Sequence, residues 1–179
     1  FVAVSIPEHI KQALAKELPR FAHLKFREIP QQNWHITVKF IGEIEASSVE
    51  EISTVIRNTA SRFKPFFVDV AAVGFINRRI FAFNLEPSPK LFALFRLLDD
   101  QLGSREFAKR DRFRTFSPHI TVGRKNPPIS RDHLHAYRHF DLKTRAPLQF
   151  SVSSVDLIES SLCDDGSVYR ICASFPLLT

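Results

Sequence analysis

The chain has 179 residues, with 25 Lys+Arg against 19 Asp+Glu, a formal net charge of +6 and an isoelectric point near 9.6. Apolar residues make up 44% and phenylalanine fills 18 positions, which excludes a disordered or collagen-like chain and predicts an aromatic-rich core; a chain of this length buries roughly 70% of its unfolded surface with no metal or disulfide to hold it. The positive charge favours polyanionic partners such as nucleic acid.

Phe1–Ile6 reads as a buried strand closed by Pro7, and Glu8–Leu18 carries Ile10, Ala13, Leu14 and Leu18 at helical spacing. Trp34–Ile41 alternates, with Trp34, Ile36, Val38 and Phe40 on one face and His35, Thr37 and Lys39 on the other. Ser47-Ser48 precedes a helix running to about Phe63, whose buried stripe is Val49, Ile52, Val55 and Ile56. Phe66–Phe75 and Ile80–Leu85 read as a hairpin turned near Asn77-Arg78. After Pro87-Ser88-Pro89, Lys90–Leu102 forms a helix with Leu91, Leu94, Phe95 and Leu98 on its apolar face, ended by Gly103. Phe116–Val122 is a strand of the same design as Trp34–Ile41, Ser130–Phe140 is a short polar segment with helical character, and Gln149–Ser160 with Val168–Phe175 closes the chain as a hairpin.

Cys163 and Cys172 flank Asp164-Asp165-Gly166. With Asp165-Gly166 as the turn, Cys163 faces Val168 and Cys172 faces Glu159, a register that does not bring the thiols together. Two free thiols, no apolar run of about 18 residues and no basic-flanked signal core lead to the expectation of a reduced, cytoplasmic protein without membrane association.

The feature that carries chemistry is an internal repeat. His35-Ile36-Thr37-Val38 and His119-Ile120-Thr121-Val122 are the same tetrapeptide, 84 residues apart, and both fall on predicted strands. On a strand, residues i and i+2 share a face about 7 Å apart, so each copy projects an imidazole and a hydroxyl to one side and anchors Ile and Val in the core on the other. If the two strands meet in one cleft, one neutral His can take a proton from attacking water while a protonated His donates to the departing oxygen. Threonine hydroxyls and a nearby cation can hold the non-bridging oxygens of a phosphate as their charge builds. This chemistry calls for no metal and no cofactor.

With these motifs the sequence resembles the two-histidine (2H) phosphoesterases, and within them the RNA 2′,3′-cyclic phosphodiesterase (2′-5′ RNA ligase-like) group. The likeness extends to Phe1–Pro7, Asn33–Glu43, Phe116–Val122 with Arg124, and the closing Tyr169–Leu177. It implies a single domain over residues 1–179 with a bilobal α+β fold: two pseudo-symmetric antiparallel sheets with outer helices around a central cleft, one motif per lobe. It also implies hydrolysis of 2′,3′-cyclic phosphate termini to 2′-phosphates. Carried over by position, His35 matches the proton donor, His119 the proton acceptor, Thr37 and Thr121 the phosphate-binding hydroxyls, and Arg124 the basic residue after the second motif. Lys39 stands where related sequences often have a neutral residue. The partners implied are RNA ends or nucleotides carrying a 2′,3′-cyclic phosphate, with no obligate protein partner.

Other groups have plainer readings. His9, His23, His133, His135 and His139 read as solvated, and the His133/His135/His139 spacing lacks the companions of a convincing zinc site. Phe1, Phe113 and Phe116 are candidates to stack a base, but in a chain with 18 Phe core packing is the stronger reading for each one, and Tyr169 has a comparable ambiguity. Seven Lys/Arg against two Asp/Glu lie between residues 105 and 125, so most of the excess charge surrounds the second motif. Lys39, Arg110, Arg112 and Arg114 are therefore candidate RNA contacts. The competing readings are the reverse reaction, a 2′-5′ RNA ligase; an RNA-binding protein with an idle site; and a metal-dependent hydrolase built on the His133 cluster.

Overall fold

The computed structural model describes residues 1–105, 107, 116–142, 148–163 and 166–178. Its strands are β1 (Val2–Ser5), β2 (Arg27–Glu28), β3 (His35–Lys39), β4 (Phe66–Phe75), β5 (Ile80–Leu85), β6 (His119–Arg124), β7 (Phe140–Asp141), β8 (Gln149–Val152), β9 (Ser154–Cys163) and β10 (Gly166–Pro176). Its α-helices are α1 (Glu8–Ala15), α2 (Val49–Ala60), α3 (Pro89–Ser104) and α4 (Arg131–Ala136). The fold is α+β, and the strand pairs among the described residues are antiparallel.

The strands run in the order β10-β9-β1-β3-β6-β5-β4-β7. The two halves of this path, each ending inward on a His-Ile-Thr-Val strand, are joined by the Ile36–Ile120 pair of β3 and β6. The two expected sheets are thus the halves of one continuous hydrogen-bonded surface. β2 pairs with β6, and β8 with the start of β4.

The expected boundaries of β4 and β5 match those observed. Their turn is held by the Asn77 carboxamide, whose Oδ1 accepts from the amides of Arg79 (2.8 Å) and Ile80 (3.0 Å). Ser88 caps α3 by accepting from the Leu91 amide at 3.3 Å, with Pro89 in the first turn, and Leu91, Leu94, Phe95, Leu98 and Leu102 form its buried face. Gly103 lies inside this helix rather than ending it. Ser130 caps α4 in the same way, accepting from His133 at 3.2 Å.

Two expectations near the C-terminus are corrected. The single strand over Gln149–Ser160 is two: β8 pairs with β4, and past Ser153 the chain crosses to pair with β1 and β10. An alternating pattern is compatible with either course, because both segments bury one face. The closing hairpin aligns Cys163 with Gly166 and Arg170 with Glu159, not Cys163 with Val168. Gly166 takes φ of +128° at the start of β10, a conformation that L side chains rarely adopt, and Cys172 occupies a bulge between Ile171 and Ala173. Both cysteines are exposed and free.

Among the described residues, no helix is long and apolar enough to cross a membrane.

Candidate active site

Each histidine is fixed by the backbone two residues before it. A carbonyl only accepts, so the ring Nδ1–H of His35 donates to Asn33 O (2.8 Å) and that of His119 to Ser117 O (2.8 Å). In the neutral tautomer this leaves both Nε2 atoms as bare acceptors. His35 Nε2 lies 3.0 Å from Thr37 Oγ1 and accepts its hydroxyl proton in that state.

The β3–β6 register brings the two motifs together. With Ile36 opposite Ile120, antiparallel geometry sets His35 across from Thr121 and Thr37 across from His119. The four polar side chains form a grid on one face, with the histidines on a diagonal of about 7–8 Å between backbone positions. Two rings at that separation can close on opposite sides of one phosphate. Ile36 and Ile120 are fully buried on the other face.

Both strands then bulge at the same motif position. Val2 pairs with Lys39 and Ala3 with Thr37, leaving Val38 extra; Phe81 pairs with Gly123 and Ala82 with Thr121, leaving Val122 extra. One extra residue reverses the alternation beyond it. Lys39 and Gly123 therefore turn away from the cleft, while Phe40 and Arg124 turn toward it.

The structure corrects the alternation-based placement of Lys39 and Phe40 on this point. Lys39, expected on the His35 face and offered as an RNA contact, is 1% exposed and its Nζ meets Asp99 Oδ1 of α3 at 2.5 Å. Phe40, assigned to the core face, is 66% exposed. A signal for the inversion was present in the repeat: Arg124 reaches the cleft only if alternation breaks after Val122, and the identical tetrapeptide transfers that break to Val38. Gly123 has its own requirement, since a Cβ there would collide with the Phe26 ring, which stacks on Phe81 at 4.6 Å.

His35, Thr37, His119, Thr121 and Arg124 line a single cleft of about 1010 Å³, together with Phe1, Phe40, Tyr169 and residues of β9 and β10. Burial lowers the pKa of both histidines from the ordinary value, opposed by the carbonyl each one donates to; His119 and Lys11 depress His35 further. Asn33 and Ser117, which orient the rings, were not singled out in the sequence, and backbone carbonyls leave no residue-type signal.

The other candidates distribute as follows. Phe116 stacks on Phe95 at 4.5 Å and 5°, a core contact. Lys125 donates to the carbonyls of Leu24 (2.7 Å) and Lys25 (3.0 Å), tying the end of β6 to the 3₁₀ segment before β2. His139 contacts Asp141, and among the described residues no three His, Cys, Asp or Glu side chains are grouped to hold a metal. Arg110, Arg112, Arg114 and Phe113 lie outside the described residues.

An α+β sheet that sets two His-Ile-Thr-Val strands side by side in one cleft defines a 2H phosphoesterase. The family model of the 2′-5′ RNA ligase superfamily matches residues 6–162, and the chain belongs to that superfamily. It is similar to the RNA 2′,3′-cyclic phosphodiesterase of Methanocaldococcus jannaschii, 28% identical over 96% of each chain. The protein of that name from Methanothermobacter thermautotrophicus is 27% identical over 99% of this chain and 97% of its own. Among solved structures, TT0787 of Thermus thermophilus superposes with a TM-score of 0.82 at 22% identity, covering 99% of this chain and 96% of its own. Apo E. coli LigT does so at 0.72 and 22%, covering 100% and 96%.

Proposed function

We propose that the protein is an RNA 2′,3′-cyclic phosphodiesterase that opens the cyclic ester to a 2′-phosphate by two-histidine acid–base catalysis. Water attacks phosphorus as His119 Nε2 takes its proton; the new P–O bond forms while the bond to the ribose 3′-oxygen breaks, and protonated His35 gives its Nε2 proton to that oxygen. Thr37, Thr121 and Arg124 hold the non-bridging oxygens as negative charge accumulates there. The cycle ends with His35 neutral and His119 protonated, and exchange with solvent restores the starting pair.

The observation that carries this reading is the β3–β6 register, which sets each histidine opposite the other motif's threonine. Backbone anchoring of both Nδ1 atoms supports it, because both reactive nitrogens are then directed away from the backbone. The names of the curated relatives support the substrate class. An RNA-binding protein with an idle site would have no need for two oriented imidazoles paired with hydroxyls.

The test is hydrolysis of adenosine 2′,3′-cyclic and 3′,5′-cyclic phosphates in the presence and absence of a chelator, with the product resolved as the 2′- or 3′-phosphate. The reading expects the 2′,3′-ester alone to be opened, to the 2′-phosphate, at a rate the chelator does not change. Release of the 3′-phosphate, or loss of activity on chelation, contradicts it.

A further inference from the structure

Resting on the phosphodiesterase reading, we infer that the Asn33 side chain positions the proton donor by latching the β9–β10 hairpin over the His35 ring. β1 pairs with β9 at Asp156 and Leu157. From Glu159 to Arg170 the two strands run on as a ribbon that pairs with itself, Glu159 with Arg170 and Leu162 with Ser167. A two-stranded ribbon is marginally stable by itself, and this one buries little, since Leu162 and Val168 are 88% and 56% exposed. Among the described residues, one hydrogen bond returns the ribbon to the body of the protein, from Asn33 Nδ2 to Ser167 O at 2.9 Å, across 134 residues of sequence. A carbonyl only accepts, so the Asn33 carboxamide presents its nitrogen there.

The same residue therefore holds the donor ring from two sides. The backbone carbonyl of Asn33 accepts from His35 Nδ1–H at 2.8 Å, and its side chain holds the strand that carries Tyr169, which stands edge-on to the His35 ring at 5.3 Å. Asn33 is itself set by a 3₁₀ turn: its amide donates to Pro30 O at 2.8 Å, and the Trp34 amide to Gln31 O at 3.0 Å. A single bond at Nδ1 lets the ring pivot about it. Tyr169 against the ring removes that freedom, so Nε2 keeps one direction. Proton delivery is sensitive to such displacement, a misplacement of about 1 Å costing up to about a hundredfold in rate. Alanine or leucine in place of Asn33 keeps the carbonyl and the turn and loses the latch alone.

The experiment compares the wild type with Asn33→Ala and Asn33→Leu, the second keeping bulk without a donor or an added charge. It reads amide hydrogen exchange, the proton NMR contact between the Tyr169 and His35 rings, and hydrolysis of adenosine 2′,3′-cyclic phosphate. Both variants are expected to speed exchange of the amides that pair Glu159–Leu162 with Ser167–Arg170 by about two- to tenfold, the factor of one net hydrogen bond. Amides of β3 and β6 should exchange as in the wild type. The Tyr169–His35 contact should weaken, and kcat should fall by about two- to tenfold with a smaller change in KM, because groups on β3 and β6 hold the phosphate. Unchanged ribbon exchange, an undiminished ring contact, wild-type kcat in either variant, or equal acceleration of exchange in β3 and β6 overturns the proposal. If the wild type does not hydrolyse the ester, the phosphodiesterase reading fails, and exchange and the ring contact decide the latch separately: both moving supports it, and either one staying at its wild-type value overturns it.

Discussion

Ile36 and Ile120 face one another across the β3–β6 ladder, each fully buried. Their side chains take no part in chemistry, yet their alignment determines what lies on the reverse face. A slip of one residue would turn a histidine or threonine into the core and expose an isoleucine, so burial of this pair enforces the site register.

The threonines should act on the transition state more than on binding. Thr37→Val and Thr121→Val keep the side-chain shape and remove one hydroxyl each. Each is expected to lower kcat by about 10²- to 10³-fold, the loss typical for one donor to a developing oxyanion, with smaller changes in KM. Steady-state hydrolysis of adenosine 2′,3′-cyclic phosphate measures both parameters.

The pH optimum should lie on the acid side of the ordinary histidine pKa. The working form has His119 neutral and His35 protonated, so it is most populated between the two apparent pKa values of the pair. Burial lowers both in the free protein, and kcat/KM reports the free protein. A bound anionic phosphate favours the charged imidazole and raises these values. The kcat profile is therefore displaced to higher pH than the kcat/KM profile, and rate measurements between pH 4 and 9, roughly bracketing the histidine range, test the sign.

Gly123 and Phe26 should be energetically coupled. Gly123→Ala drives a methyl into a ring already stacked on Phe81, an overpacking expected to cost about 1–3 kcal/mol. Phe26→Leu in the same chain makes room, so the double variant should lose less than the two single variants combined. Thermal or urea melts of the four proteins give the coupling energy.

Two classes of basic residue should separate in a salt titration. Lys39 is buried against Asp99, so Lys39→Ala should lower the melting temperature and leave the slope of log affinity against log salt unchanged. Neutralising Arg110, Arg112 and Arg114 together, where the sequence concentrates its charge, should flatten that slope by up to about three units, one for each RNA phosphate that then keeps its counterion. Binding of single-stranded RNA across a range of salt concentrations distinguishes them.

What the sequence made legible followed from short-range periodicity. Alternation assigned His35 and Thr37 to one face and Ile36 to the other, and the duplicated tetrapeptide pointed to two strands of one site. The helical stripes of α2 and α3 were equally direct, because one buried face on a 3.6-residue period needs no knowledge of its neighbours. The inversion at Val38 and Val122 was not legible strand by strand, since a bulge exists only relative to a partner, here β1 and β5. The break at Ser153 escaped for the same reason: β8 and β9 both bury alternate residues, and only their different partners separate them. Phe40 and Lys39 exchanged places because a two-residue period, followed one step too far, is wrong about every residue beyond the extra one.

The most direct test of the two-histidine account is the pH dependence of kcat/KM for adenosine 2′,3′-cyclic phosphate in the wild type, His119→Ala and His35→Ala. The account predicts a bell for the wild type and turnover lower by about 10²- to 10⁴-fold in each variant, with the acidic limb missing in His119→Ala and the alkaline limb missing in His35→Ala. Near-normal turnover in either variant, or a residual activity that keeps both limbs, would contradict it.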